Sequence, residues 1–290
     1  MNPIIPRHPA VRDLDWALSS PSLVLSLPHA PHHADVIPDA VWREWRAAYA
    51  ERLAGLDANP AELEAFLARN TNHRLGYYFE YLLAFWLQDG IGHPFRLWRH
   101  HLPVRQGSLT LGEMDFLVEH AATGELEHWE VAVKFYLGAP PLGDIFRWVG
   151  PNRSDTLGRK LDHLATRQFR FDEAEGRRID RRCAVVRGRL FHPAHGRELP
   201  SRFVSPDHLR GLWFTRDEFL DDPRTAGMRW RPAGREEWLT SRQDIAPEPL
   251  AAREDLPFVD FPDTQLVLGF EGDSDATDPW RCFLVRHRPH

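Results

Sequence analysis

Lysine is almost missing from this chain. Of 36 Lys+Arg, only Lys134 and Lys160 are lysine and the other 34 are arginine. A composition so biased spells its solvated cations as arginine. A lysine that persists therefore marks a role for a compact ammonium of tunable pKa, which a planar and permanently charged guanidinium cannot fill. Cysteine is also scarce. Cys183 and Cys282 are the two in the chain, and they have neither CxxC nor Cys/His ligand spacing, which excludes a disulfide framework and a structural zinc site. Both read as reduced, buried thiols. No stretch approaches the roughly 18 to 20 apolar residues that span a bilayer, and the opening residues lack an apolar run behind a basic start. A cytoplasmic protein with no membrane association is expected. GxSxG, Walker-type GK[ST] and GxGxxG motifs are absent, which removes support for serine-hydrolase, P-loop and dinucleotide chemistry. His29, His32, His33, His100 and His101 lie on an arm and a strand without HExxH spacing, so no histidine metal site is expected. No internal repeat is visible.

What is present is enough apolar material for a large interior, 42% of 290 residues, so disorder is excluded. The formal charge of -6 argues against coating nucleic acid by bulk electrostatics. The acidity is uneven. Residues 144–188 carry 11 Lys+Arg against 7 Asp+Glu, and residues 205–290 carry 11 against 17, which leaves room for a local basic face.

Three regions are expected: an arm and helices over 1–70, a core over 71–200 and an α+β elaboration over 201–290. The first 38 residues read as an extended arm with a short helix near 13–19. Apolar residues at 3- and 4-residue steps predict helices over 39–56 and 60–69. Residues 73–88 (HRLGYYFEYLLAFWLQ) are apolar on nearly every side, which predicts a buried helix. Glu80 lies inside it and needs either a partner such as Arg74 or Arg96 or a functional role. Strands are predicted at 96–105, 112–119 and 127–137, with Gln106-Gly107 and Thr123-Gly124 as turn chemistry. Asp155 is placed as the cap of a helix over 156–170, and a fourth strand follows at 183–191. The order is αβββαβ, a mixed α+β core with a central mixed sheet flanked by helices.

Side chains on a strand alternate faces. Glu113 and Asp115 then share one side of the second strand, with Met114, Phe116 and Val118 on the other. On the third strand Glu130, Ala132 and Lys134 share a face opposite Trp129, Val131, Val133 and Phe135. Carboxylates gathered with an ammonium on one face suit a divalent cation held by oxygen ligands beside a positive group. In the helix after them, Leu157, Lys160, Leu161, Leu164 and Gln168 fall on one face, so both lysines converge on the same region.

The motifs Gly112-Glu113-Met114-Asp115-Phe116 and Glu130-Val131-Ala132-Val133-Lys134 resemble the restriction-endonuclease-like PD-(D/E)XK nuclease core. More narrowly, RLGYYFEYLLAFWL, GEMDFL, HWEVAVKFYL and GPNRSDTLGRKLDHL are similar to a bacterial family known as domain of unknown function 1853, itself thought to be nuclease-like. The resemblance implies Mg²⁺- or Mn²⁺-dependent phosphodiester hydrolysis on nucleic acid, DNA first. Asp115, Glu130, Glu80 and Glu113 would be metal ligands, Lys134 with Asp115, Glu130 and Glu80 would be the catalytic set, and Lys160 and Gln168 would contact phosphate. The sequence departs from that pattern at Ala132, where the superfamily has an acid. Glu130 and Lys134 are then roughly 13 Å apart along a regular strand, so the arrangement needs help from Glu80, a β-bulge or a decayed site. The alternative is an inactive nuclease-fold module that binds nucleic acid or a protein partner. Oligomeric state is not legible.

Overall fold

Helix α1 (Pro9–Ser19) starts on a proline in its first turn and buries Val11, Leu14, Ala17 and Leu18 completely. It contains the short helix expected near 13–19 but starts earlier, and it is a core element because its apolar residues recur at the helical period over three turns. The computed structural model describes residues 5–28, 31–196, 199–240, 250–258, 260, 262–271 and 279–289. His29 lies outside them. Strand β1 (Asp35–Val36) leads into α2 (Asp39–Ala48), α3 (Ala50–Ala58) and α4 (Ala61–Leu67). The single helix expected over 39–56 is broken at Tyr49, whose hydroxyl donates to Asp89 Oδ2 at 2.5 Å. Helix α5 (Leu75–Asp89) ends on Gly90 at φ 67, the left-handed closure that glycine adopts most easily.

The sheet begins with β2 (Phe95–Gln106), β3 (Leu109–His120) and β4 (Leu126–Gly138), an antiparallel meander. Strand β5 (Trp148–Val149) flanks the end of β4, and α6 (Leu157–His163) follows, running into a wider π turn over Leu164–Gln168. After the small β6 (Glu173–Ala174) and β7 (Arg177–Arg178) hairpin, β8 (Arg181–Pro193) returns parallel to β4. The αβββαβ order is therefore present. Among the described residues beyond 200, four strands extend the same sheet, β9 (Arg210–Thr215), β10 (Met228–Pro232), β11 (Thr264–Glu271) and β12 (Trp280–Val285), with α7 (Arg216–Asp221) following β9. The strand order is β10-β11-β12-β9-β8-β4-β3-β2. The chain is thus a mixed α+β fold around a central mixed sheet with helices against it.

One face of β4 carries Trp129, Val131, Val133 and Phe135 into a core shared with Phe79, Leu82, Leu83 and Trp86 of α5. The opposite face packs under α6, where Leu157, Leu161 and Leu164 meet Tyr136 and Val186. The alternation predicted for β4 holds. On β3 it fails, since Phe116 and Val118 join the α5 core while Met114 packs with Leu117 in a separate cluster near β6 and β7. The chain changes faces at Asp115.

Arg187 on β8 is fully buried, stacked over the Trp42 ring at 4.7 Å, with Nη1 donating to Asp39 Oδ1 at 3.0 Å. Gly188 beside it sits at φ 137, and a Cβ there would come within 1.7 Å of the Lys134 carbonyl oxygen. Only glycine lets β8 lie this close to β4. Gly188→Ala is expected to destabilise the fold by about 3 kcal/mol or more, read as a drop in denaturant midpoint. An unchanged midpoint would show that the two strands do not meet as described.

Candidate functional site

The β3–β4 ladder runs from Glu119↔Leu126 to Phe116↔Trp129 and then stops. Beyond it the Val131 N–H, which the ladder no longer uses, donates to Asp115 Oδ2 at 2.8 Å. The side chain of Asp115 thus takes the place of the next strand contact, and its carboxyl meets that of Glu130 in hydrogen-bonding range. Asp115 and Glu130, expected from the sequence to act together, lie side by side. Ala132 is bypassed because Asp115 reaches Glu130 directly.

Glu130 has no solvent exposure. His128 Nε2 lies 2.7 Å from Glu130 Oε1, and Gln168 Nε2 donates to Glu130 Oε2. Lys160 Nζ donates to Gln168 Oε1 at 3.1 Å, so one amide links the ammonium to the carboxyl. The π turn after α6 supplies this link, since it carries Gln168 back toward the sheet while Lys160 stays on the preceding turn. Such widened turns are frequent at functional sites.

Burial and then the neighbouring Glu130 push Asp115 up to about 7. Burial likewise raises Glu130 to about 7, against the pull of Lys160. Burial lowers the Lys160 ammonium below its usual range, although Glu130 and Asp115 both act to hold its proton. His128, with the same burial, is lowered to about 4 and is neutral. Near neutral pH the pair carries about one proton more than two solvated carboxylates would.

Lys134 takes a different partner. Its Nζ donates to Asp155 Oδ2 at 2.8 Å, and Tyr136 donates its hydroxyl to the same oxygen at 3.0 Å. Burial tends to raise Asp155, but the bond and charge of Lys134 outweigh it and hold the carboxyl low. This corrects the expectation that Asp155 caps the following helix; Thr156 does so, accepting from Arg159 N at 3.2 Å. The cap is one residue later because Asp155 is engaged across the sheet. Lys160 feels the charge of Lys134 and of Asp155 as well as the acidic pair, so both lysines border one region, and the charge of Lys160 acts on both Asp115 and Glu130.

Glu80 on α5 faces Asp115 and Lys160 and has neither Arg74 nor Arg96 as its partner. Burial, reinforced by Asp115, raises it to about 9. Its Oε2 lies 3.4 Å from His101 Nε2, and His101 Nδ1 lies 3.1 Å from Glu113 Oε1. Glu113 is thereby paired with a residue of β2. Glu80, His100 and His101 bring potential ligand atoms within 4.8 Å of one another. Sequence spacing gave no sign of this, because adjacent strand residues ordinarily point to opposite faces.

No helix among the described residues is long and apolar enough to cross a membrane. No curated protein and no solved structure matches the chain. A family model described as Domain of unknown function (DUF1853) matches residues 12–256. The match covers α1 through the segment after β10 and includes every residue of the cluster around Asp115 and Glu130, and on it the chain belongs to the DUF1853 family.

Proposed function

We propose that the chain is a metal-dependent phosphodiester hydrolase of the restriction-endonuclease-like type, acting on nucleic acid, with Asp115 and Glu130 as its cation ligands. One observation carries the reading: two carboxyls from neighbouring strands meet where the strands part, both held up to about 7, with an ammonium drawn toward them. A single ammonium leaves a buried acidic pair of this kind short of positive charge. Its hard oxygen donors suit Mg²⁺ or Mn²⁺. When bound, such an ion lowers the pKa of a coordinated water and offsets charge on a phosphate.

The protein's own groups then have distinct tasks. Asp115 and Glu130 fix the ligand geometry through the Val131 N–H, His128 and Gln168. Lys160 places an ammonium where a phosphate oxygen would gain charge, and Gln168 sets its position. Lys134, held by Asp155 and Tyr136, adds positive potential from behind. Glu80 borders the pair from the helix side. Two exposed residues of the basic stretch after the site, Arg167 on the segment of Gln168 and Arg178 on the hairpin that follows, offer contacts to a polyanion.

A second reading has its own support. Both oxygens of Glu130 already have protein partners and Ala132 stands in the usual acidic position, as a nuclease-fold module that only binds would allow. Incubating the protein with single-stranded, duplex and branched DNA and with RNA, in Mg²⁺ and in Mn²⁺, separates the two. Cleavage of at least one substrate that needs the cation and vanishes in Asp115→Asn is expected. Retention of a labelled substrate without cleavage in either cation would favour the binding module.

A further inference from the structure

His100 and His101 are consecutive residues of β2, and regular strand geometry would send them to opposite faces. They point together. His101 adopts φ 54, a left-handed conformation that is uncommon for a side chain with a Cβ, and the two imidazole centroids lie 3.9 Å apart. The His100 ring is held flat on Phe116 at 4.6 Å, and His101 is flanked by Tyr77 at 5.5 Å. Among the described residues, Nε2 of each histidine is shut off from water and has no hydrogen-bond partner. The nearest acid, Glu80 Oε2, is 3.4 Å from His101 Nε2 without making a good bond to it. A buried, unsatisfied imidazole nitrogen is costly. Two of them converging on one carboxyl call for something that all three can bind.

We propose that Glu80, His100 and His101 form a transition-metal site, taking a Zn²⁺-class divalent ion through the Glu80 carboxylate and the Nε2 atoms of both histidines. Two nitrogens and one oxygen suit such an ion and not Mg²⁺, which prefers an all-oxygen shell. Donors around a tetrahedral ion with bonds of about 2.1 Å are about 3.4 Å apart. The present spacing, with all three atoms within 4.8 Å, closes to that by small side-chain shifts.

The outer contacts fit the same assignment. Glu113 Oε1 accepts from Nδ1 of His101 at 3.1 Å, which fixes the tautomer that leaves the Nε2 lone pair free for a metal. A carboxylate behind a ligating histidine does this at zinc sites generally. Three protein ligands would leave a coordination position open. This site differs from the oxygen-donor pair Asp115/Glu130 in ligand chemistry, and its occupancy does not depend on whether that pair hydrolyses anything.

Co²⁺ titration of the metal-free full chain tests it, because cobalt with mixed nitrogen and oxygen ligands absorbs in the visible and Zn²⁺ displaces it. Visible bands that saturate near one equivalent, are removed by Zn²⁺, are lost in His100→Gln and in His101→Gln, and persist in Asp115→Asn are expected. Glu113 is exposed, and Glu113→Gln is expected to weaken Co²⁺ binding about tenfold or more; this arm decides the matter if a histidine variant fails to fold. Absence of bands in the wild type would overturn the proposal. So would bands lost in Asp115→Asn but kept in both histidine variants, or an affinity unmoved by Glu113→Gln.

Discussion

Lys160→Met is expected to lower cation-dependent cleavage about a hundredfold or more, and Lys134→Met to lower it less than tenfold. The two lysines are the only ones in the chain, yet the structure gives them unlike surroundings. Lys160 is half-buried, is tied by Gln168 to Glu130, and is drawn by both site carboxyls. Lys134 spends its charge on Asp155 at 2.8 Å. An ammonium already neutralised by its own carboxylate has less to offer a phosphate than one whose counter-charge would be shared with a bound cation. Steady-state cleavage of the best substrate by each variant, with melting temperatures to exclude misfolding, reads the contrast. A larger loss in Lys134→Met than in Lys160→Met would return the motif lysine to the role that the sequence pattern gives it.

The second large effect is on stability. Asp115 and Glu130 have folded-state pKa values raised to about 7 from ordinary carboxyl values. Groups shifted this way stabilise the fold fully below the unfolded pKa near 4, and that contribution is lost as pH rises through about 7. Five histidines shifted downward, His93, His100, His128, His192 and His208, act in the opposite sense. They favour the folded state above the unfolded histidine value near 6.5. A single pH profile would mix the two, so the informative quantity is a difference. Asp115→Asn is expected to gain stability over the wild type as pH rises from about 4 to 8, by on the order of 3 kcal/mol in metal-free buffer. Mg²⁺ or Mn²⁺ should narrow that gap at pH 8 by stabilising the wild type alone. Denaturant midpoints of the two proteins across pH test this, and a difference that stays flat would mean that Asp115 is not held as a buried, proton-sharing acid.

Much of this architecture is legible in the residues. The all-round apolar run 73–88 marked α5, and the alternation in HWEVAVKFYL gave the faces of β4 correctly, because a long strand buried on both sides leaves little freedom to deviate. The bias against lysine pointed to Lys160 as well as to Lys134. What could not be read lies where the backbone leaves its regular form. Met114 and Phe116 should share a face, yet the chain turns at Asp115, where the ladder ends and a side chain replaces a backbone partner. His100 and His101 should diverge, but a left-handed residue brings them together. The distance from Glu130 to Lys134 looked like a defect in the motif because the pattern assumes a lysine from the same strand. On the proposed reading Lys160 supplies the ammonium from α6, and the offset of Lys134 on β4 no longer bears on it. In the N-terminal 38 residues the prolines and histidines suggest an arm with a short helix near 13–19; that helix is present but starts earlier, at Pro9, and Val11, Leu14 and Leu18 build it into the core.

The central claim is that Asp115 and Glu130 together hold a divalent cation. Anomalous diffraction from crystals grown in Mn²⁺ tests it most directly. A peak about 2.2 Å from carboxylate oxygens of both residues is predicted, absent in Asp115→Asn. No peak between them, with manganese found only at Glu80, His100 and His101 or nowhere, would contradict it.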